Sequence, residues 1–267
     1  MEYYKVTKLT EHISQITDVT GASAFLVTGR ERAALLDTCC GYHSLKDVVK
    51  ELTDLPLDVI LTHGHCDHGG GAAEFDRVWL NEEDWKEYEE QGTVEMRASY
   101  VALTLENFDR NEFLPPRTEG FLPLKDGQLF SLGDITLEAV AVPGHTRGMT
   151  CILIREEKIL LLGDACNTRT FLFTGSGTVS QFRHQLENLL ETCQGRYLRT
   201  LYSHGPAFYD DMIRPNMELC DEILAGTDAA IPFSFMWETE LFRAADVEEV
   251  DGRPVTADLV YRKEQIK

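Results

Sequence analysis

The chain predicts an α/β fold, and three observations carry that reading. Short β-rich runs separated by turns begin at residue 23; helical character breaks in near residue 82; after Pro115-Pro116 the β pattern returns, followed by two more helical stretches. With 267 residues and 43% hydrophobic content, the chain can fill a core without disulfide staples. No low-complexity linker and no repeat at a solenoid period divides it, so 1–267 reads as one domain.

The runs "SAFLVT" (23–28) and "RAALLD" (32–37) read as strands, a helix follows Tyr42, and "LDVILT" (57–62) is a strand that ends on a glycine-flanked loop. Residues 82–107 differ. "NEEDWKEYEEQG" is rich in helix-favouring acids, and Val94, Ala98, Val101 and Leu105 recur at helical spacing, giving a two-helix insertion at about 82–119. Its aromatics Trp85, Tyr88, Tyr100 and Phe108 either line a substrate pocket or, more simply, pack the insertion onto the body.

Beyond it, "QLFSL" (128–132), "ITLEAVAV" (135–142), "MTCILI" (149–154) and "KILLLG" (158–163) read as strands of a second sheet. Helices are expected over 178–194 and 211–225, on either side of "RYLRTLYS" (196–203), and "VTADLVYR" (255–262) reads as an edge strand.

Lys plus Arg total 25 against 45 Asp plus Glu, a formal charge of −20 that repels phosphate backbones and anionic lipid surfaces. Long nucleic acids and membranes are therefore excluded as partners, leaving a small-molecule substrate. Seven cysteines, with Cys39 and Cys40 adjacent, suit reduced thiols better than a disulfide framework. The start "MEYYKVTKL" lacks a signal-peptide pattern and no apolar run approaches a membrane span, so the expected compartment is the cytoplasm. Nothing in the sequence speaks to oligomeric state.

The stretch "THGHCDHGGG" (62–71) concentrates three of the eight histidines within six positions at the end of a strand. Neutral imidazoles beside a carboxylate are the donors that zinc or iron takes, and glycines let the loop wrap an ion. His63 and His65, two apart, can project to one side while Asp67 and His68 turn to a second position. Three more apolar runs end in a donor beside a glycine: His145 in "PGH", Asp164 in "LLGDA" and His204 in "YSHGP". His12, His43 and His184 fall outside this set as surface or capping residues, and Cys66 and Cys166 read as small buried residues rather than soft ligands.

This constellation resembles the metallo-β-lactamase-fold hydrolases, of the glyoxalase-II and lactonase-like kind with a seven-ligand binuclear site. The family signature His-x-His-x-Asp-His is matched by His63, His65, Asp67 and His68, with His145, Asp164 and His204 following in the family's order; the likeness runs from about residue 23 to 206. It implies a four-layer αββα sandwich of two mixed sheets flanked by helices. It also implies two divalent metal ions, one on His63, His65 and His145, the other on Asp67, His68 and His204, with Asp164 bridging. Zinc is the default, and iron or manganese would be tolerated. Asp37 matches a strand-end aspartate that supports a metal ligand by hydrogen bonding, although a turn cap would account for it equally well.

Two cations side by side would hold hydroxide near neutral pH, oriented by Asp67 as the catalytic carboxylate, to cleave a small ester, thioester, lactone or lactam. The alternatives are hydrolysis of small phosphodiesters and a non-catalytic metal-binding sensor, though sensors of this fold usually lose ligands. Flavin-linked relatives place glutamate where this chain has His65. The basic C-terminal helical domain of glyoxalase-II-like enzymes is missing, and Tyr202 is too near His204 to equate with the lactonases' pocket tyrosine. Substrate choice is expected from the 82–119 insertion, "TRTFLFTGSG" (168–177) and the C-terminal segment. All seven donors lie outside the insertion, which therefore reads as separable from metal binding.

Overall fold

The computed structural model describes residues 3–209, 211–250 and 253–267. Strand formation starts earlier than residue 23: β1 (Tyr4–Lys8) and β2 (Ile13–Asp18) lead an antiparallel meander into β3 (Ser23–Thr28) and β4 (Ala33–Leu36). Helix α1 (Leu45–Leu52) then crosses over to β5 (Leu57–Ile60), which pairs parallel to β4 with Ile60 opposite Leu36. The helix start is well held. Ser44 accepts from the Asp47 N–H, and the Glu74 carboxylate takes the N–H groups of Leu45 and Lys46.

Directly after β5 comes the one-turn helix α2 (Cys66–Gly69), then β6 (Val78–Leu80). The expected insertion follows as α3 (Trp85–Gln91) and α4 (Val94–Val101), and β7 (Leu122–Pro123) closes the sheet. Among the described residues this first sheet has seven strands in sequence order.

The second half builds β8 (Leu129–Ser131), β9 (Thr136–Ala141), β10 (Thr150–Ile154) and β11 (Ile159–Gly163) as an antiparallel run. The chain leaves this sheet for β12 (Arg169–Phe171) and α5 (Val179–Cys193), whose Thr178 and Gln181 form a reciprocal capping box. It returns as β13 (Arg199–Tyr202), parallel to β11, then β14 (Phe208–Tyr209) and α6 (Ile213–Ala225).

Strands buried on both faces explain the continuous apolar runs. Ile152, Ile154, Ile159 and Leu161 meet Phe25, Val27, Leu36 and Ile60 of the first sheet, while Leu153, Leu160 and Leu162 turn the other way onto Phe182, Leu186 and Ile223 of α5 and α6. On the far side α1 buries Leu45 and Val49 against Leu26, Leu35 and Val59. The result is the four-layer αββα sandwich.

A third sheet was not foreseen. It contains β15 (Ile231–Phe235) and β16 (Glu238–Arg243), and, after the short ribbon β17 (Glu249–Val250) and β18 (Arg253–Pro254), the strand β19 (Asp258–Arg262). Its order is β12-β19-β16-β15, so the tail expected at an edge is instead central, with Leu259, Val260 and Tyr261 buried between two partners. Among the described residues no helix is long and apolar enough to cross a membrane.

Candidate metal centre

All seven expected donors meet at one edge of the sandwich, each at or just past the end of a strand or in α2. Donor atoms of His63, His65 and His145 lie within 4.8 Å of one another, as do those of Asp67, His68 and His204, and those of His63, His68 and Asp164. His145 Nε2 is 2.9 Å from His65 Nδ1. Asp164 Oδ2 stands between the halves, 3.4 Å from His204 Nε2, 3.6 Å from His68 Nε2 and 3.8 Å from His145 Nε2.

Four of the imidazoles have their rear nitrogen engaged by the protein, which fixes the ring and aims the other nitrogen inward. His63 Nδ1 meets the Thr62 hydroxyl at 3.0 Å, His68 Nδ1 meets Asp37 Oδ2 at 2.9 Å, and His145 Nδ1 donates to the Phe171 carbonyl at 2.6 Å. His65 Nε2 lies 3.4 Å from Glu87 Oε1, and that ring holds the Glu87 carboxyl below its ordinary value. Asp37 thus supports His68, and its Oδ1 also accepts from the Thr62 N–H at 2.7 Å.

Facing inward, His63 Nε2, His68 Nε2 and Asp164 Oδ1 are buried without a hydrogen-bond partner. Buried polar atoms left in that state are costly, and three converging ones are what a cation's coordination would satisfy. The charges agree. Burial pushes His63 far down and His145 to about 4, with neighbouring imidazoles adding to both, so these rings offer neutral lone pairs. Burial would also lower His204, yet the facing carboxylates of Asp164 and Asp67 outweigh it and raise the ring to about 10. Asp67, in turn, is held below the usual carboxylate range by His68 and His204 against the effect of burial. Neutral donors on one side and carboxylates seeking positive charge on the other form a set suited to divalent metal ions.

Two buried side chains tie the insertion to this centre. Asp84, just before α3, is buried and accepts from Gly64 N at 3.0 Å, Thr146 Oγ1 at 2.6 Å and Gly148 N at 2.6 Å, joining the two loops that flank His65 and His145. Fully buried Arg97 of α4 donates to the carbonyls of Gly70 at 3.1 Å and Cys40 at 3.3 Å, securing the glycine turn after the histidine cluster. Sequence reasoning missed both.

Above the donors lies a cavity of ≈ 880 Å³, lined from all three segments expected to shape it, among them Met96 and Tyr100, Phe171 and Phe173, and Met236 and Trp237. Of the four aromatics singled out in the insertion, Tyr100 faces this cavity while Tyr88 packs over Gly69, Trp85 donates to the Leu80 carbonyl, and Phe108 packs on Tyr42 and Phe113. Tyr202 is buried away from the centre, its hydroxyl accepting the Met212 N–H. Cys66 and Cys166 are buried. His12 bonds the Thr28 carbonyl and His43 stacks on Tyr3, both outside the cluster, and His184 is exposed.

Four likenesses to known proteins accompany this geometry. The family model described as the metallo-beta-lactamase superfamily matches residues 17–201. The chain is 28% identical over 160 residues to human acyl-coenzyme A thioesterase MBLAC2, covering 54% of this chain and 57% of that protein. It is 26% identical over 209 residues to atrochrysone carboxyl ACP thioesterase AacuM of Aspergillus aculeatus, covering 76% and 56%. The chain therefore spans little more than half the length of these relatives. A metallo-beta-lactamase from Pontibacter korlensis superposes with a TM-score of 0.60 at 18% identity, over 80% of this chain and 97% of that one, a likeness of fold.

Proposed function

The chain belongs to the metallo-beta-lactamase superfamily, and from that premise we propose that it is a binuclear metallohydrolase of small carboxyl-derived substrates, thioesters first. The observation that carries the reading is the convergence of seven donors, three of which have a buried atom without a partner and five of which line a cavity sized for a small molecule. The thioesterase names of its relatives favour the thioester within that class.

In this reading His63, His65 and His145 would hold one ion and Asp67, His68 and His204 the other, with Asp164 within reach of both and zinc the expected metal. Bound there, two divalent cations supply Lewis acidity and lower the pKa of a water molecule, which serves hydrolysis without a serine or cysteine nucleophile. Asp67, kept ionised by His68 and His204, accepts a hydrogen bond from the attacking water and so directs its lone pair. Water adds to the acyl carbon, the carbon–sulfur bond breaks, and the thiol leaves with a proton. The hydrogen bonds behind His63, His68 and His145 keep those rings from turning during the reaction. Seven free, buried cysteines support a reducing compartment, and the reading extends to a cytoplasmic protein.

Elemental analysis combined with a panel of thioester, lactone, β-lactam and bis(aryl) phosphate substrates tests the proposal. About two ions per chain are expected, with the highest kcat/KM on a thioester. Fewer than one ion after reconstitution, or fastest cleavage of the phosphate, overturns it. Asp164→Asn should lower turnover by at least about 10²-fold.

A further inference from the structure

His65, Asp67, His145, Asp164 and His204 line the floor of the cavity, but one wall of it comes from the third sheet. Phe171 ends β12, Phe173 follows two residues later, and Phe235 ends β15. Their rings stack: Phe171 and Phe173 have centroids 4.9 Å apart with planes at 19°, and Phe173 and Phe235 are 6.1 Å apart at 26°. Phe173 lies 6.3 Å from the His65 ring and 6.1 Å from the His145 ring, so this wall begins beside the donors.

It ends in the β15–β16 turn, where Met236 takes a left-handed φ of 54° and Trp237 stands 53% exposed at the cavity. A methionine in that backbone region and a tryptophan held in solvent are both unfavourable for folding, and such features gather at ligand sites. The wall is also braced. Glu238 accepts from Arg262 at 2.8 Å and from Thr174 at 3.1 Å, while Arg169 and Arg243 share the buried carboxylate of Asp258. Met96 and Tyr100 of α4 also line the cavity, from the insertion.

We propose that this aromatic wall recognises the acyl part of the substrate, and that the acyl part is a flat aromatic or fused-ring group seated against it with its carbonyl over the donors. The bond that is cleaved rests on the hydrolase reading above; the binding preference does not. Near-parallel rings let a flat ligand ring extend the stack, gaining aromatic contact on top of burial, whereas an unbranched alkyl chain gains burial alone. A cavity of ≈ 880 Å³ has room for two or three fused rings.

The test pairs calorimetric binding of 2-naphthoate and decanoate to the metal-replete protein with kcat/KM for the matching thioesters. Both acids carry the same carboxylate, so their difference reports the apolar part. Naphthoate should bind more tightly, and Phe173→Leu or Phe235→Leu, which keep bulk and remove the ring, should weaken naphthoate by about 3- to 10-fold and leave decanoate unchanged. Equal or tighter binding of decanoate, no binding of naphthoate, or equal losses for both ligands in the leucine variants overturns the proposal. The two readings separate cleanly. Ring-selective binding without thioester cleavage keeps the wall and sinks the hydrolase, and cleavage with no ring preference does the reverse.

Discussion

Thr146 donates its hydroxyl hydrogen to Asp84 at 2.6 Å although the two residues are 62 positions apart. The same carboxylate takes the N–H groups of Gly64 and Gly148, and the fit is close: a Cβ on Gly148 would sit 2.7 Å from Asp84 Cγ. Asp84→Ala leaves three donors unpaired and frees both loops, so metal affinity measured by chelator competition should fall by about 10- to 100-fold. Asp84→Asn, which retains one acceptor oxygen, should lose less. Unchanged affinity in the alanine variant would mean the loops hold their shape unaided.

Arg97 spends its donors on backbone carbonyls, including those of Leu114 at 2.6 Å and Gly92 at 3.1 Å. Arg97→Met fills similar space but leaves those acceptors without partners, a loss of about 2–4 kcal/mol. Thermal unfolding should show a Tm lower by roughly 5–15 °C. A drop of only a degree or two would indicate that water replaces the guanidinium.

Asp37 has a left-handed φ of 63°, which asparagine also tolerates. Asp37→Asn should therefore keep the fold while weakening the hold on His68, whose Nδ1 lies 2.9 Å from Oδ2. The expected signature is a metal-free Tm close to the parent's and metal affinity down by about 10-fold or more. Equal losses in both measurements would assign Asp37 to the turn alone.

Glu138 on β9 is held below the ordinary glutamate range by Arg196 first and by Arg155, against burial. A depressed folded-state pKa adds stability above the unfolded value of about 4.3, and that stability is lost as pH falls through the folded value. The arginine side chains are 34% and 39% exposed, so solvent screening limits the effect to about 0.5–1 kcal/mol. Glu138→Gln should be less stable than the parent at pH 7 by that amount, with the two converging in acid. A gap that persists at low pH would trace to packing.

The seven donors were legible because five sit just past a strand end beside a glycine and the other two, Asp67 and His68, follow in the same short motif within α2, a pattern local enough to read from neighbours. Asp84 and Glu87 were not, since "NEEDWKEYEEQG" looks like any acidic helix start and Asp84 reaches partners 20 and 62 positions away. β1 was hidden for another reason: four of its five residues are exposed, so it offers no apolar run. β15 alternates partly buried with exposed positions, a weak signal in which Phe235 gave no hint of the cavity it borders. Whether β19 was central or at an edge depended on β16, a partner with only one fully buried residue, Leu241.

β12 does two jobs at once, because the carbonyl that fixes His145 belongs to Phe171, whose backbone register is set against Val260 of β19. The amide of Leu172 also donates to Val260 at 2.8 Å. The last strand of the chain is thus a tensioner for a histidine more than a hundred positions upstream. A protein cut just before β19 would still carry every donor, yet the ring of His145 would have lost the strand that keeps it aimed.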